Sequence, residues 1–495
     1  MELYIALGVF AFLMLVCLLS SKLSSYINMP CLLLFLGVGM LAGSEGIGGI
    51  EFDNAAAANY IGSAAMAFIL FAGGFDTSWK SVKSVFLPGG ILSSLGVLLT
   101  ALSVGFFTWG ILKVIFPEQE VALSWCLLLG SIISSTDAAA VFAILRSKSV
   151  SLSGKLQPLL EFESGSNDPM AAFLTIFMVS VVSRESLSGE IMPILSYWVI
   201  LPTFLFKMTI GIVVGWGIGK LCVWLYNKIN FDYDGLYYVL SIVAVLFAYS
   251  IPELLQGNGF MAVYVAGMVM GNYRFVFCRG VGRFYDGLAW IMQVVLFSML
   301  GLLAFPSQVW EAKYLGMAVA IFLMFVARPL ATFICLIKSE FSLREKIFIS
   351  WVGLRGGAPI MLATFPMMGG IANSALMFHI VFFIVITSVL LQGMTLMPLA
   401  KLLKLDAPLR KKPRTPLAFE ETMDANAESY EFAVCDDFDG KTIAQANFPA
   451  GLLVLLIKRD AQILVPRGET KLQRGDVLTV LGNQAAIKYC KTMEA

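Results

Sequence analysis

Charge is scarce in this sequence. Asp, Glu, Lys and Arg make up 14% of its 495 residues, while hydrophobic residues make up 58%. Soluble domains carry about 25% charged residues. With a mean hydropathy of +0.83, the shortage excludes an ordinary soluble chain and implies a polytopic membrane protein. The formal net charge is only +1, so no basic excess points to a nucleic-acid partner. The eight cysteines (Cys17, Cys31, Cys126, Cys222, Cys278, Cys335, Cys435 and Cys490) include no CxxC pair. That absence removes the common zinc and redox spacings and leaves reduced, packed thiols. There is one histidine, His379, at the start of the last apolar span; packing is a simpler role for it than pH sensing. The first apolar stretch begins at Leu3 without a basic n-region and reads as a retained helix rather than a cleaved signal.

What is present is a succession of long apolar runs. A crossing helix needs about 20 apolar residues, and a scan gives about thirteen candidates. Lys22, Lys80, Lys83, Lys155, Lys228, Arg274, Arg279, Arg283, Lys338, Arg344 and Lys346 all follow odd-numbered spans. The alternate loops hold Glu45, Glu51, Asp53, Glu118, Glu253 and Glu311. The positive-inside rule then places the N-terminus outside and the C-terminus in the cytoplasm. If the seventh span is a connector, spans one to six and eight to thirteen form equivalent halves, an inverted-repeat arrangement. The expected fold is an all-α polytopic membrane protein with two broken crossing helices and a small α/β cytoplasmic domain at its C-terminus.

Three segments are expected: a transmembrane domain over 1–403, a linker over 404–429 and a cytoplasmic module over 430–495. The linker opens with Lys404, Arg410, Lys411, Lys412 and Arg414 and turns acidic towards Glu420. Its basic part could hold anionic lipid headgroups at about 1 kcal/mol per charge, or simply flank the last span. In the module, 452–458 and 463–466 read as a hairpin and 477–481 as a further strand. Asn483 can cap a final helix reaching Thr492. A module this small has a marginal core and would gain from dimerisation.

Chemistry concentrates in three polar clusters within apolar spans. The first is Glu161-Phe162-Glu163-Ser164-Gly165-Ser166-Asn167-Asp168-Pro169. Carboxylates at membrane depth cost about 2.5–3.5 kcal/mol each on insertion scales, and a chain keeps them where a water-filled cavity handles ions or protons. The apolar run continues after Pro169, so a helix is preferred to a loop. On that helix Glu163 and Asn167 are i,i+4 neighbours, as are Ser164 and Asp168. Pro169 leaves the Gly165 carbonyl without its helical donor. The second cluster is Ser134-Ser135-Thr136-Asp137. Its side chains can serve backbone groups where a helix unwinds, with Asp137 as N-cap of the next half-helix and the Thr136 carbonyl free for a cation. The alternative is a Ser/Thr packing seam. The third, Gly353-Leu354-Arg355-Gly356-Gly357-Ala358-Pro359, suggests a second broken helix. Paired interrupted spans in two halves point to a transporter site. Arg355 needs a carboxylate partner, Glu163 in preference to Asp137, while Arg328 reads as a structural cation.

Together, Thr136-Asp137, Glu163-Ser164-x-x-Asn167-Asp168 and Gly353-Leu354-Arg355-Gly356 resemble, in order and spacing, the monovalent cation/proton antiporter family, in the branch with an Asn-Asp pair. The resemblance covers nearly all of 1–405. The tail resembles the C-terminal regulatory module of potassium channels and transporters, and the whole chain is similar to bacterial potassium/proton antiporters of the cell-volume-regulation type. The resemblance implies a homodimer in the bacterial inner membrane with an elevator-like core. It also implies that potassium or sodium and the proton compete at Asp168, with Thr136 and Ser164 coordinating the cation. Glu163, Asn167 and Arg355 would form a supporting network, and one-for-one electroneutral exchange would follow. No resident cofactor is implied, though a nucleotide or other small regulator could bind the tail, which has no Gly-rich phosphate loop. One departure stands out. Relatives often carry an acid where Leu70-Phe71-Ala72-Gly73-Gly74 has Ala72, and here Asp76 follows one turn later.

The physical logic is competition at one carboxylate. Burial disfavours its charge, and a bound cation or proton relieves that penalty. Sodium in place of potassium is the nearest rival. A gated cation channel is a rival of another class, but it would call for a carbonyl-lined filter or acidic rings, and neither is evident.

Overall fold

The computed structural model describes residues 2–27, 30–115, 117–118, 121–147, 150–188, 195–408, 428–434, 438–449, 451–459, 462–482 and 486. They form two compact units. One comprises 1–223, 234–273 and 282–409; the other comprises 224–233, 274–281 and 410–495.

Composition dictates the first unit. Among the described residues, eight helices are long and apolar enough to cross a bilayer: Ala55–Asp76, Phe86–Ile115, Leu156–Glu185, Leu201–Lys228, Gly235–Leu254, Cys278–Leu302, Lys313–Cys335 and Ser374–Leu402. Five shorter apolar helices accompany them: Leu7–Lys22, Cys31–Ala42, Leu123–Ile132, Gly259–Asn272 and Gly357–Met368. Apolar tails of lipid give helices no hydrophobic reason to associate, so close approach through small residues matters. Helices Ala55–Asp76 and Gly259–Asn272 show this. Gly267 and Gly271, one turn apart, lie against the backbone of Phe71 and Phe75, where a Cβ would meet the carbonyl oxygens.

Two of the long helices loosen locally. Phe86–Ile115 widens into a π turn at Leu92–Gly96, and Lys313–Cys335 does so at Leu323–Ala327. The helices pack on each other, with Phe107 and Phe322 stacked at 3.8 Å between ring centroids. Two further helical paths break outright, after Ile132 and after Trp351. Both breaks were legible as Ser/Thr and Gly/Pro clusters.

A short antiparallel ribbon was not expected. Val150–Leu152 pairs with Asp406–Pro408, with Ser151 opposite Ala407. Three residues are too few to show the alternation that announces a strand. The first unit therefore runs past residue 403 through this ribbon.

The C-terminal module is a four-stranded antiparallel sheet in the order Glu428–Ala433, Val477–Gly482, Leu452–Arg459, Gln462–Leu464. The last three strands match the sequence reading to within one or two residues. The first was unforeseen, and it begins inside the expected linker. Phe432, Ile457, Leu472, Leu478 and Val480 form the buried centre. Among the described residues the module's regular elements are strands, with isolated helical residues at Phe438 and Ala486. Asn483, the remainder of the expected final helix and the charged stretch 409–427 lie outside the described residues.

Candidate cation site

The acidic run is helical. It lies within one continuous helix, Leu156–Ser188, that passes through Pro169 without a break. Gln157, Glu161, Ser164, Gly165 and Asp168 recur at helical spacing and line one side of a cavity of about 270 Å³. At 1.5 Å rise per residue, Asp168 lies about 16 Å along the axis from Gln157. Asp76, Thr77, Asp137, Ser151 and Tyr264 face the same space. Gly165 is required here: a Cβ would collide with the Tyr264 ring.

One broken helix supplies Asp137 to the wall of this cavity, and a second lies against that break. The chain leaves helix Leu123–Ile132, passes through Ser134, Ser135 and Thr136 without regular structure, and becomes helical again at Ala138. Asp137 caps the restart, accepting the Ala140 N–H at 3.1 Å. The hydroxyl of Ser164 donates to the Thr136 carbonyl at 3.1 Å and accepts the Ala138 N–H at 3.0 Å. Asn167 Nδ2 donates to Thr136 Oγ1 at 2.5 Å. Thus Thr136, Asp137, Ser164 and Asn167 are brought together, and Asp168 shares the cavity with Asp137 and Ser164. A carbonyl has two lone pairs, so the Thr136 oxygen keeps acceptor capacity beyond Ser164.

The second break crosses the first. Helix Leu343–Trp351 gives way to an irregular stretch that is helical again from Gly357. There the Leu354 carbonyl accepts the Asp137 N–H at 2.7 Å. Arg355 Nη1 donates to the Ser134 carbonyl at 2.7 Å and to the Ser135 carbonyl. Gln392 Nε2 donates to the Trp351 carbonyl at 2.9 Å, while Ser388 Oγ accepts the Arg355 N–H at 3.2 Å. Gly356 lies where a side chain would overlap the Asp137 carboxylate. Each break thus serves the other's exposed backbone, as membrane burial demands.

The expected Glu163–Arg355 pair is not formed. Arg328 Nη2 lies 2.6 Å from Glu163 Oε1, and both side chains are almost fully buried. Arg355 is compensated instead by the carbonyls that unwinding frees beyond helix Leu123–Ile132, the negative end of a helix dipole. The sequence showed two buried cations and two nearby carboxylates, but no distances by which to pair them. Arg328, read as merely structural, carries the ion pair. Glu161 also lines the cavity, as does Asp76. Tyr264 had no polar motif around it to flag it.

This geometry sits in a chain whose residues 9–402 match the transmembrane domain of the sodium/hydrogen exchangers. The chain belongs to that family. Residues 430–491 match the TrkA-C domain. Among curated exchanger relatives, the K(+)/H(+) antiporter NhaP of Alkalimonas amylolytica is 36% identical over 488 residues, covering 98% of this chain and 82% of the relative. The K(+)/H(+) antiporter NhaP2 of Shewanella sp. (strain MR-4) is 35% identical over 483 residues, covering 97% and 81%. A low-affinity Na(+)/H(+) antiporter of Synechocystis is 27% identical over 352 residues, covering 66% and 61%. Among solved structures, the sodium proton antiporter of Methanocaldococcus jannaschii at pH 8 superposes with a TM-score of 0.68 at 23% identity, covering 81% of this chain and all of that one. As an exchanger, this chain is a multi-pass cation/proton antiporter and not an enzyme.

Proposed function

We propose that this exchanger trades cytoplasmic potassium for protons at Asp168. One observation carries the reading: the polar stripe from Gln157 to Asp168 lines a cavity that Asp137 also lines. The Asp168 carboxylate holds either a proton or a cation, and oxygen ligands suit a hard monovalent ion. Ser164 and the Thr136 carbonyl complete its coordination. Asn167 holds Thr136 in place, Glu163 with Arg328 anchors the acidic helix, and Arg355 with Asp137 fixes the crossing. Potassium is favoured over sodium because the relatives that match nearly the whole chain are K(+)/H(+) antiporters.

The eight long and five shorter apolar helices support thirteen spans in two inverted repeats, and the two π turns support the same division. On this reading the N-terminus is outside, the C-terminal module is cytoplasmic, and the protein works as an inner-membrane homodimer with an elevator-like core. The module takes a nucleotide or another small regulator. The test is proton exchange in vesicles holding the purified protein, with potassium, sodium and lithium compared over a pH series. Potassium-coupled proton movement is expected. Sodium preference would transfer the same mechanism to the rival ion, and potassium flux without matching proton movement would make the protein a channel.

A further inference from the structure

The short ribbon joins two parts of the chain whose connection the exchange reaction does not require. One strand, Val150–Leu152, lies between the half-helix capped by Asp137 and the helix that carries Asp168. Val150 and Ser151 are themselves part of the cavity wall. The other strand, Asp406–Pro408, follows the last span and leads towards the sheet module, whose first strand begins at Glu428. The pairing is specific. Val150, Ser151 and Leu152 face Pro408, Ala407 and Asp406, and the Ser153 N–H continues the ladder to the Leu405 carbonyl at 3.0 Å. In an antiparallel ladder, bonded and non-bonded pairs alternate, so Pro408, which has no N–H, falls at a non-bonded position.

The strand is aimed by the end of the last helix. Lys404 N–H bonds to the Lys401 carbonyl at 3.1 Å and Leu405 N–H to the Ala400 carbonyl at 3.0 Å. Lys404 has φ +58°. These are the two bonds and the left-handed residue of a Schellman cap. It is unusual in using lysine, since this backbone region costs L side chains about 1–2 kcal/mol. The chain thus leaves the last span by a defined turn directly into the ribbon.

We propose that the ribbon is a clasp through which the C-terminal module regulates the exchange cavity. Paired, it pins Val150 and Ser151 on the cavity wall and restricts cation entry. A change in the module draws on Asp406–Pro408, loosens the pairing and frees the loop between the Asp137 and Asp168 elements. This rests on the reading that the Asp168 cavity is the exchange site.

Opposed residues in an antiparallel pair lie ~4.5–5.5 Å apart at Cα, within the span of a disulfide. The test therefore uses full-length protein carrying Ser151→Cys and Ala407→Cys, reconstituted in vesicles, with potassium-driven proton exchange measured before and after oxidation. Oxidation is expected to slow exchange at least threefold, and dithiothreitol to restore it; the unsubstituted protein serves as control. Leu472→Asp, which disrupts the buried centre of the module, is then added. It should change the rate at least twofold in the reduced protein and leave the oxidised one unaltered. An oxidised protein that exchanges at the reduced rate would overturn the clasp. So would a Leu472→Asp effect that is absent in the reduced protein or survives the crosslink. Absence of exchange in the unsubstituted protein would instead remove the cavity reading itself.

Discussion

At the scale of single residues, neighbours on one helix do different work. Asp168 faces the cavity, whereas Glu163, five residues earlier, is tied to Arg328 at 2.6 Å. Asp168→Asn keeps the shape but removes the charge that a cation or proton neutralises. Exchange in vesicles is expected to fall below detection, and full activity would sink the mechanism. The buried ion pair makes an opposite kind of prediction. Removing one partner of such a pair costs about 3–5 kcal/mol, because a buried charge is left uncompensated, while replacing both costs far less. Arg328→Gln should therefore lower thermal stability strongly, and Arg328→Gln with Glu163→Gln should recover most of it. Equal losses in the single and double variants would show that the pair is not the unit. In the module, burial holds the Glu431 carboxyl above the usual carboxylate range, although the Thr479 hydroxyl donates to it at 3.2 Å. A raised carboxyl contributes stability that is full below its unfolded value and lost as pH rises through the folded one. Protection of strand Val477–Gly482 in hydrogen exchange on the full chain should therefore decline from pH 4 to pH 8 less steeply in Glu431→Gln.

At the scale of elements, the site is made where two helices stop. The breaks were readable because Ser134, Ser135 and Thr136 are polar inside an apolar run, and because Gly353, Gly356 and Pro359 interrupt another. The helix through Asp168 was readable because its apolar run continues beyond Pro169. What could not be read was which element each break meets. The bond from Asp137 N–H to Leu354 O, and those from Arg355 to Ser134 and Ser135, join positions far apart in the chain. Periodicity carries no information about such distances, so the partners of Glu163 and Arg355 were misassigned although both residues stood out in the sequence. The ribbon escaped for a related reason: each strand gains its identity only from the other. The crossing is tight, and Gly356→Ala tests it. Its methyl would enter the space of the Asp137 carboxylate, and overpacking of this kind costs typically about 1–3 kcal/mol. The expected result is a folded protein with slowed exchange and lowered thermal stability; unchanged values for both would mean that the two breaks are free to separate.

At the scale of the whole molecule, the balance of buried charge decides what can cross. We propose that two cations, Arg328 and Arg355, and two carboxylates, Glu163 and Asp137, cancel around the crossing, with Asp137 at the N-cap of a helix. Asp168 then leaves one negative charge on an empty site. Either a proton or a potassium ion removes it, so both loaded forms are neutral and the empty form is not. On this proposal a core of that kind moves readily only when loaded, and the two fluxes are coupled one for one without a second ion. The voltage dependence follows directly. Moving one elementary charge through 100 mV is worth about 2.3 kcal/mol, roughly a fifty-fold effect on a rate or equilibrium, whereas a neutral loaded core feels none. Exchange by the unsubstituted protein in vesicles should be insensitive to an imposed potential, and a supported-membrane electrode should record no net charge transfer. Arg355→Gln removes one of the cancelling cations and makes both loaded forms negative. If that variant still exchanges, its rate should become voltage-dependent in one direction; if the unsubstituted protein already responds to potential, this charge balance is wrong.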